Sequence, residues 1–232
     1  MIIFNCSQAF AEFIEPRKTG SAPLVGEAPS PRPSEDGPHL IDVDGQPPRE
    51  VKQWQAHLAL IQGKPCAIVV DIDSSYAMFF PGLKAGDPEG FLDAFATRLV
   101  NEMVFAAQTA GMMADFDAML GTFQEKHARF QFVLRMEHST LEHLDDTARN
   151  FENEIVLADL ASETHEECAV IDARINHAIR GLKTEPDQLL PEEEMLCSWL
   201  RDFGGLTADG ESALRKQLRA KKLRVTAEPG RA

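Results

Sequence analysis

Apolar and polar positions along this chain change period several times, and each change predicts an element. Met1 to Cys6 is a short apolar run that suits a strand. Ser7 follows at an N-cap position, ahead of a short amphipathic helix with Phe10, Phe13 and Ile14 on one side. A period of two begins at Trp54, where Trp54, Ala56, Leu58 and Leu60 alternate with Gln55, His57, Ala59 and Ile61. Gln62-Gly63-Lys64-Pro65 is a turn signal, and Cys66 to Ile72 is almost wholly apolar, as in a strand covered on both faces. Ser74-Ser75 can turn the chain again, and Tyr76 to Phe80 forms a third strand ended by Pro81-Gly82. Residues 54–83 therefore read as an antiparallel meander.

Helical spacing takes over after it. Asp87-Pro88-Glu89 is a helix start, with Phe91, Phe95, Leu99 and Met103 on one stripe and Gly111 as a stop. A short helix is expected from Met112 to Leu120, before Gly121, and a further strand near 128–135, where Phe130, Phe132 and Leu134 alternate. Ser139 with Glu142, and Thr164 with Glu167, have the capping-box spacing. Leu141, Leu144, Ala148, Phe151 and Ile155 mark one buried stripe, and Cys168, Ile171, Ile175 and Ile179 another. Pro191 with three glutamates opens a last packed helix carrying Met195, Trp199 and Phe203, and Gly204-Gly205 stops it. Strands come early and helices late, which predicts an α+β fold. Its expected sheet is small and mainly antiparallel: the N-terminal strand, the 54–83 meander and the strand near 128–135, packed against several helices. Residues 15–50 hold Pro16, Pro23, Pro29, Pro31, Pro33, Pro38, Pro47 and Pro48 without periodicity, and read as a loop excursion. The expected organisation is a single domain over 1–205 with that excursion, followed by a basic C-terminal helix or tail over 206–232.

Charge narrows the choice of partners. The net charge is −14. From Ala213 onward seven basic residues face only Glu228, so this tail carries +6 and leaves −20 on the body. A body of that sign repels nucleic acid and anionic membranes, leaving only the basic tail to touch nucleic acid. It suits a basic protein partner, with self-association as the other expectation. Cys6, Cys66, Cys168 and Cys197 are scattered and share no CxxC spacing, and the opening residues lack the basic region of an export signal. Buried thiols in a cytoplasmic protein are expected.

The opening MIIFNCSQAF, the segment WQAHLALIQGKPCAIVVD, the strand YAMFFPGL and the later RFQFVLRMEHSTLEHLDD together resemble a small bacterial family, the domain of unknown function 6933. The resemblance covers roughly Met1 to Leu200. It places an Asn-like position where this chain has Asp71, and it aligns Leu144-Asp145-Asp146 with a Met-Asn-Asp-type stretch, of which only the terminal Asp is shared. It implies a bacterial intracellular α+β protein and carries no activity, cofactor or catalytic residue.

Candidate chemistry is sparse. Ile68-Val69-Val70-Asp71-Ile72-Asp73 ends an apolar strand in Asp-x-Asp, the pattern by which one carboxylate attacks phosphorus and a second acts as acid and base around Mg²⁺. Tight turns on both sides, and the absence of a second acid-bearing strand end, favour a plainer role in which Asp71 and Asp73 accept turn hydrogen bonds. His165, Cys168 and Asp172 share a helix face and offer part of a metal site, although Cys168 also belongs to the apolar stripe. Trp54 and His57 are the candidate binding residues, with a core tryptophan and a hydrogen-bonded sheet histidine as the plainer readings. Ser7 lacks the flanking glycines of a nucleophile elbow. No GxGxxG or Walker pattern is present, and no cofactor is expected. The expected function is a non-enzymatic interaction or regulatory module with an acidic body. The alternative is a Mg²⁺-dependent phosphohydrolase using Asp71 and Asp73.

Overall fold

The structure, a computed structural model, describes residues 1–16, 23–27, 32–34, 37–41, 51–112, 115–127, 129–135, 138–158, 164–177 and 190–227. In chain order the elements are β1 (Ile2–Cys6), α1 (Gln8–Ile14), β2 (Val25–Glu27), β3 (Arg32–Ser34), β4 (Gly37–Ile41), β5 (Lys52–Ile61), β6 (Lys64–Asp71) and β7 (Ala77–Pro81). Then come α2 (Pro88–Thr109), α3 (Phe116–Lys126), β8 (Phe130–Leu134), α4 (His138–Ala158), α5 (His165–His177), α6 (Pro191–Phe203) and α7 (Ala208–Ala227).

Six strands form one sheet in the order β2-β8-β1-β5-β6-β7, and β3 and β4 pair apart from it. The meander is antiparallel as its turns require: β5 pairs β6 from Trp54 opposite Asp71 to Ile61 opposite Lys64, and β6 pairs β7. Gln62 and Gly63 both have positive φ (50° and 75°), the two-residue turn whose twist matches a hairpin. The rest of the sheet corrects the expectation of a mainly antiparallel one. β1 runs parallel to β5 and to β8, and β2 runs parallel to β8, so the sheet is mixed. The reason is connection length. A hairpin joins antiparallel neighbours, whereas β1 reaches β5 only after α1 and the proline-rich excursion, and β7 reaches β8 only after α2 and α3. Those spans are long enough to carry the chain back to the starting edge, and α1 and α2 cover the sheet on the way. The excursion itself supplies edge strand β2. The two oxygens of Glu15, just after α1, accept from the backbone N–H groups of Leu24 and Val25 at 2.7 and 2.9 Å and start that strand.

Helices cover both faces. On the first, Phe4, Trp54, Val69, Met78, Phe80 and Phe132 of the strands meet α1, α2 and α6. Its centre is aromatic: the Phe4 ring lies 5.0 Å from Phe95 and 5.3 Å from Phe132, and Trp54 lies 4.9 Å from Phe95. On the second, Ile68, Val70 and Phe79 meet Leu144, Phe151 and Ile155 of α4 and Ile171 and Ile175 of α5. Adjacent residues of β6 thus serve opposite cores, which is why Cys66 to Asp71 shows no alternation in burial. The Asp87 carboxylate caps α2 by accepting from Gly90 N–H at 2.9 Å. Thr164 and Glu167 exchange both capping-box hydrogen bonds at 3.2 Å. The residue preceding α4, where a cap for that helix would sit, lies outside the described residues. The short helix expected to end at Gly121 instead starts at Phe116, with Asp115 as its cap, and runs through Gly121 to Lys126. Packing of Met119 and Phe123 outweighs the modest cost of a helical glycine.

The free edge of β7 is closed by side chains. Asn176 Oδ1 accepts from Ala77 N–H at 2.8 Å, and Asn176 Nδ2 donates to the Ala77 carbonyl at 2.7 Å. Asp172 Oδ1 accepts from Phe79 N–H at 3.2 Å, and Arg98 donates to the Phe79 carbonyl. Arg98 also pairs with Asp172 and, at 3.2 Å, with Glu102, which accepts from the Tyr76 hydroxyl at 2.8 Å. One turn of α5 therefore stands in for a seventh strand.

Candidate functional site

Ser7, His57 and Asp145 come from three separate elements and meet at one end of the sheet. Ser7 is the residue between β1 and α1, with extended backbone (φ −67°, ψ 159°). Its hydroxyl accepts from Phe10 N–H at 3.2 Å as the cap of α1, and lies 3.0 Å from His57 Nδ1. His57 sits on β5 just past Ala56, the register partner of Cys6, so the parallel pairing itself brings the two side by side. Its Nε2 lies 3.2 Å from Asp145 Oδ1 on α4. Ser7 and His57 are 4% and 8% exposed, whereas the Asp145 side chain is 51% exposed, so the chain of contacts runs from the interior to solvent. Burial pulls His57 below its usual pKa of 6.5, against the opposing pull of Asp145, and the imidazole is neutral at pH 7. The arrangement that satisfies every group has Ser7 O–H donating to Nδ1 and Nε2–H donating to Asp145.

The topology makes this end of the sheet special. β1 and β8 are parallel neighbours. The helix after β1 packs in the first core, and the helix after β8 packs in the second. Chains leaving adjacent strands toward opposite faces make this end a topological switch point, and the carboxyl ends of the strands at such a point are where open α/β sheets take ligands.

The other candidates lie elsewhere. Asp71 is 3% exposed, and its Oδ2 accepts from Ser74 N–H at 2.8 Å and from the Ser74 hydroxyl at 2.7 Å, closing the β6–β7 turn, while Asp73 is exposed in that turn. Burial raises the Asp71 pKa, with the Ser74 hydrogen bonds opposing. A small cavity at this opposite end is bordered by Asp71, Lys52, Trp54 and Trp199, and beside it an opening of about 150 Å³ is lined by Val51, Lys52, Lys126, His127, Asp202 and Phe203. Lys52 binds Asp202 at 2.8 Å and Ser198 at 2.7 Å. Trp54 is 1% exposed and belongs to the first core. Cys168 is buried beside Ile171, Asp172 is held by Arg98, and His165 is exposed on the same helix. Among the described residues no group of three or more His, Cys, Asp or Glu side chains could hold a metal ion. Sequence reading singled out His57 and missed Ser7 and Asp145 as its partners. The one available signal was a strand, a serine and a helix in succession, since the partners are 50 and 88 residues away from His57 in sequence.

Fold and site together define a mixed-sheet protein with helices on both faces and a polar Ser7–His57–Asp145 line at one end of the sheet. The profile of the family described as Domain of unknown function (DUF6933) matches residues 3–194, and the chain belongs to that family. The match takes in every strand of the main sheet and ends inside α6. No curated protein and no solved structure matches the chain. Among the described residues no helix is long and apolar enough to cross a membrane.

Proposed function

We propose that this protein is an interaction module whose outer α4–α5 surface receives a basic partner. The observation that carries this reading is the make-up of that surface. Outside the core, α4 carries five acidic residues and α5 two, against Arg149 and Arg174 alone. Among them stand Val156, Leu157 and Val170, which are 64%, 75% and 47% exposed. Acidic groups around solvent-facing aliphatic side chains suit a partner that offers lysine or arginine with apolar contact, and the charge steers its approach. A second copy of the same surface would be repelled. Arg215 and Arg219 of the basic C-terminal helix do not offset this charge, because they are tied to Glu193, Glu194 and Glu211.

In-cell crosslinking followed by mass spectrometry, comparing the native chain with an Asp146→Lys/Glu166→Lys variant, is the test. A basic protein recovered reproducibly with the native chain and lost with the variant is expected. Recovery of the same partner with both chains, or of none with either, sinks the proposal.

A further inference from the structure

We propose that Ser7, His57 and Asp145 form a nucleophilic relay that transfers a small acyl group from an ester to water, at the carboxyl end of β1 where it lies beside β5. The relay shares Asp145 with the acidic surface of the interaction reading, which leaves Ser7 and His57 unexplained. A serine that only capped α1 would need no imidazole, and a buried imidazole that only filled space would need no carboxylate. Here one unbroken line of contacts, 3.0 and 3.2 Å long, joins all three.

The polarity of the line fits the chemistry. With Nε2–H donating to the Asp145 carboxylate, Nδ1 of the neutral ring accepts the Ser7 hydroxyl hydrogen; Phe10 N–H occupies one lone pair of Ser7 Oγ and a second stays available. The ring presents Nδ1 to the serine and Nε2 to the acid, the reverse of the usual serine-protease orientation, and either nitrogen of a neutral imidazole can accept the proton. Ser7 Oγ attacks the acyl carbon while its proton moves to His57 Nδ1, and the imidazolium is stabilised by Asp145. The bond from acyl carbon to alcohol oxygen breaks, and the proton on Nδ1 passes to the departing alcohol. Water then attacks the acyl-serine and gives a proton to Nδ1. The acyl–Oγ bond breaks, and the proton returns to Oγ. Ser7 is only 4% exposed, so the substrate is an ester of a slim acyl group such as acetyl.

The experiment exposes the full chain to p-nitrophenyl acetate and to a fluorophosphonate probe, with peptide mapping of the adducts. A single adduct on Ser7 is expected, together with a burst of p-nitrophenol. Ser7→Asn retains an acceptor for the Phe10 N–H and so separates loss of the nucleophile from loss of the fold; it should give no adduct. His57→Gln should slow labelling by about 100-fold, in the range of a lost general base. A native chain with no adduct on Ser7, or labelling of Ser7 at the same rate in His57→Gln, overturns the proposal.

Discussion

At the scale of single residues, burial decides the chemistry of the thiols and of His57. The four thiols are all buried, and burial pushes Cys6 and Cys168 up to about 12 and Cys66 and Cys197 up to about 11. Thiols in that state are protonated at neutral pH and react slowly. Ellman's reagent should therefore find essentially no fast-reacting thiol in the native chain and four in urea; one rapid native thiol would contradict this. His57 shifts the other way. Its folded pKa lies below its unfolded value, so its contribution to stability is complete above pH 6.5 and is lost as pH falls through the lowered folded value. Urea midpoints measured from pH 7.5 down to 5 should fall, and His57→Gln should flatten that slope.

Elements in this fold are held by polar side chains as well as by apolar faces. The clamp of α5 on β7 shows why. An open edge would leave the N–H and C=O groups of Ala77 and Phe79 without partners in a buried place. Asn176→Ala removes two of those bonds and should cost about 2 kcal/mol or more, with faster amide exchange at Ala77 and Phe79 than in the rest of the sheet. Arg98→Met should cost more, about 3–5 kcal/mol at neutral pH, because Asp172 and Glu102 would stay buried without their cation. Burial already raises both carboxyl groups, Asp172 well above its usual range, so each contributes most stability where it keeps its proton. The deficit of Arg98→Met should therefore shrink as pH falls toward 4, and a deficit that grew instead would show that the carboxyl groups are not the cause.

The element scale also shows which assignments were legible. The meander, the capped helices and the Thr164 box follow from short-range patterns that physical chemistry imposes locally. The bounds of α3 do not, because Gly121 is a stop signal by propensity and is overruled by the packing of Met119 and Phe123 around it. The clamp was equally hidden. Asp172 reads as a polar residue near an apolar stripe, and only the edge of β7 tells what it does.

For the whole molecule, the question is what unites the acidic body and the basic C-terminal segment. α7 is a docked helix, with Leu214 3% exposed in the first core. Arg215 bonds Glu193, Glu194 and Glu211, and Arg219 bonds Glu193, which is itself 4% exposed. Setting Arg215 and Arg219 against Glu193, Glu194 and Glu211 therefore stabilises the fold as well as balancing charge locally. Ending the chain after Thr207 would leave Glu193 without either arginine and should lower stability by at least about 3 kcal/mol, read as a reduced urea midpoint. A truncated chain of unchanged stability would mean that α7 is an independent appendage.

What the sequence determined by itself was everything set by neighbours within about four residues: where strands turn, where helices start, which stripes are apolar, and a family whose members share those patterns. Tertiary structure decided the rest. Strand direction depends on connections that carry no pairing signal, so the mixed sheet and its switch point could not be read from alternation. Ser7, His57 and Asp145 are neighbours only because β1 lies parallel to β5 and α4 crosses to the second face. Hydrogen bonds reach about 3 Å and act without regard to separation along the chain, so a site built from residues 7, 57 and 145 exists only once the sheet is assembled.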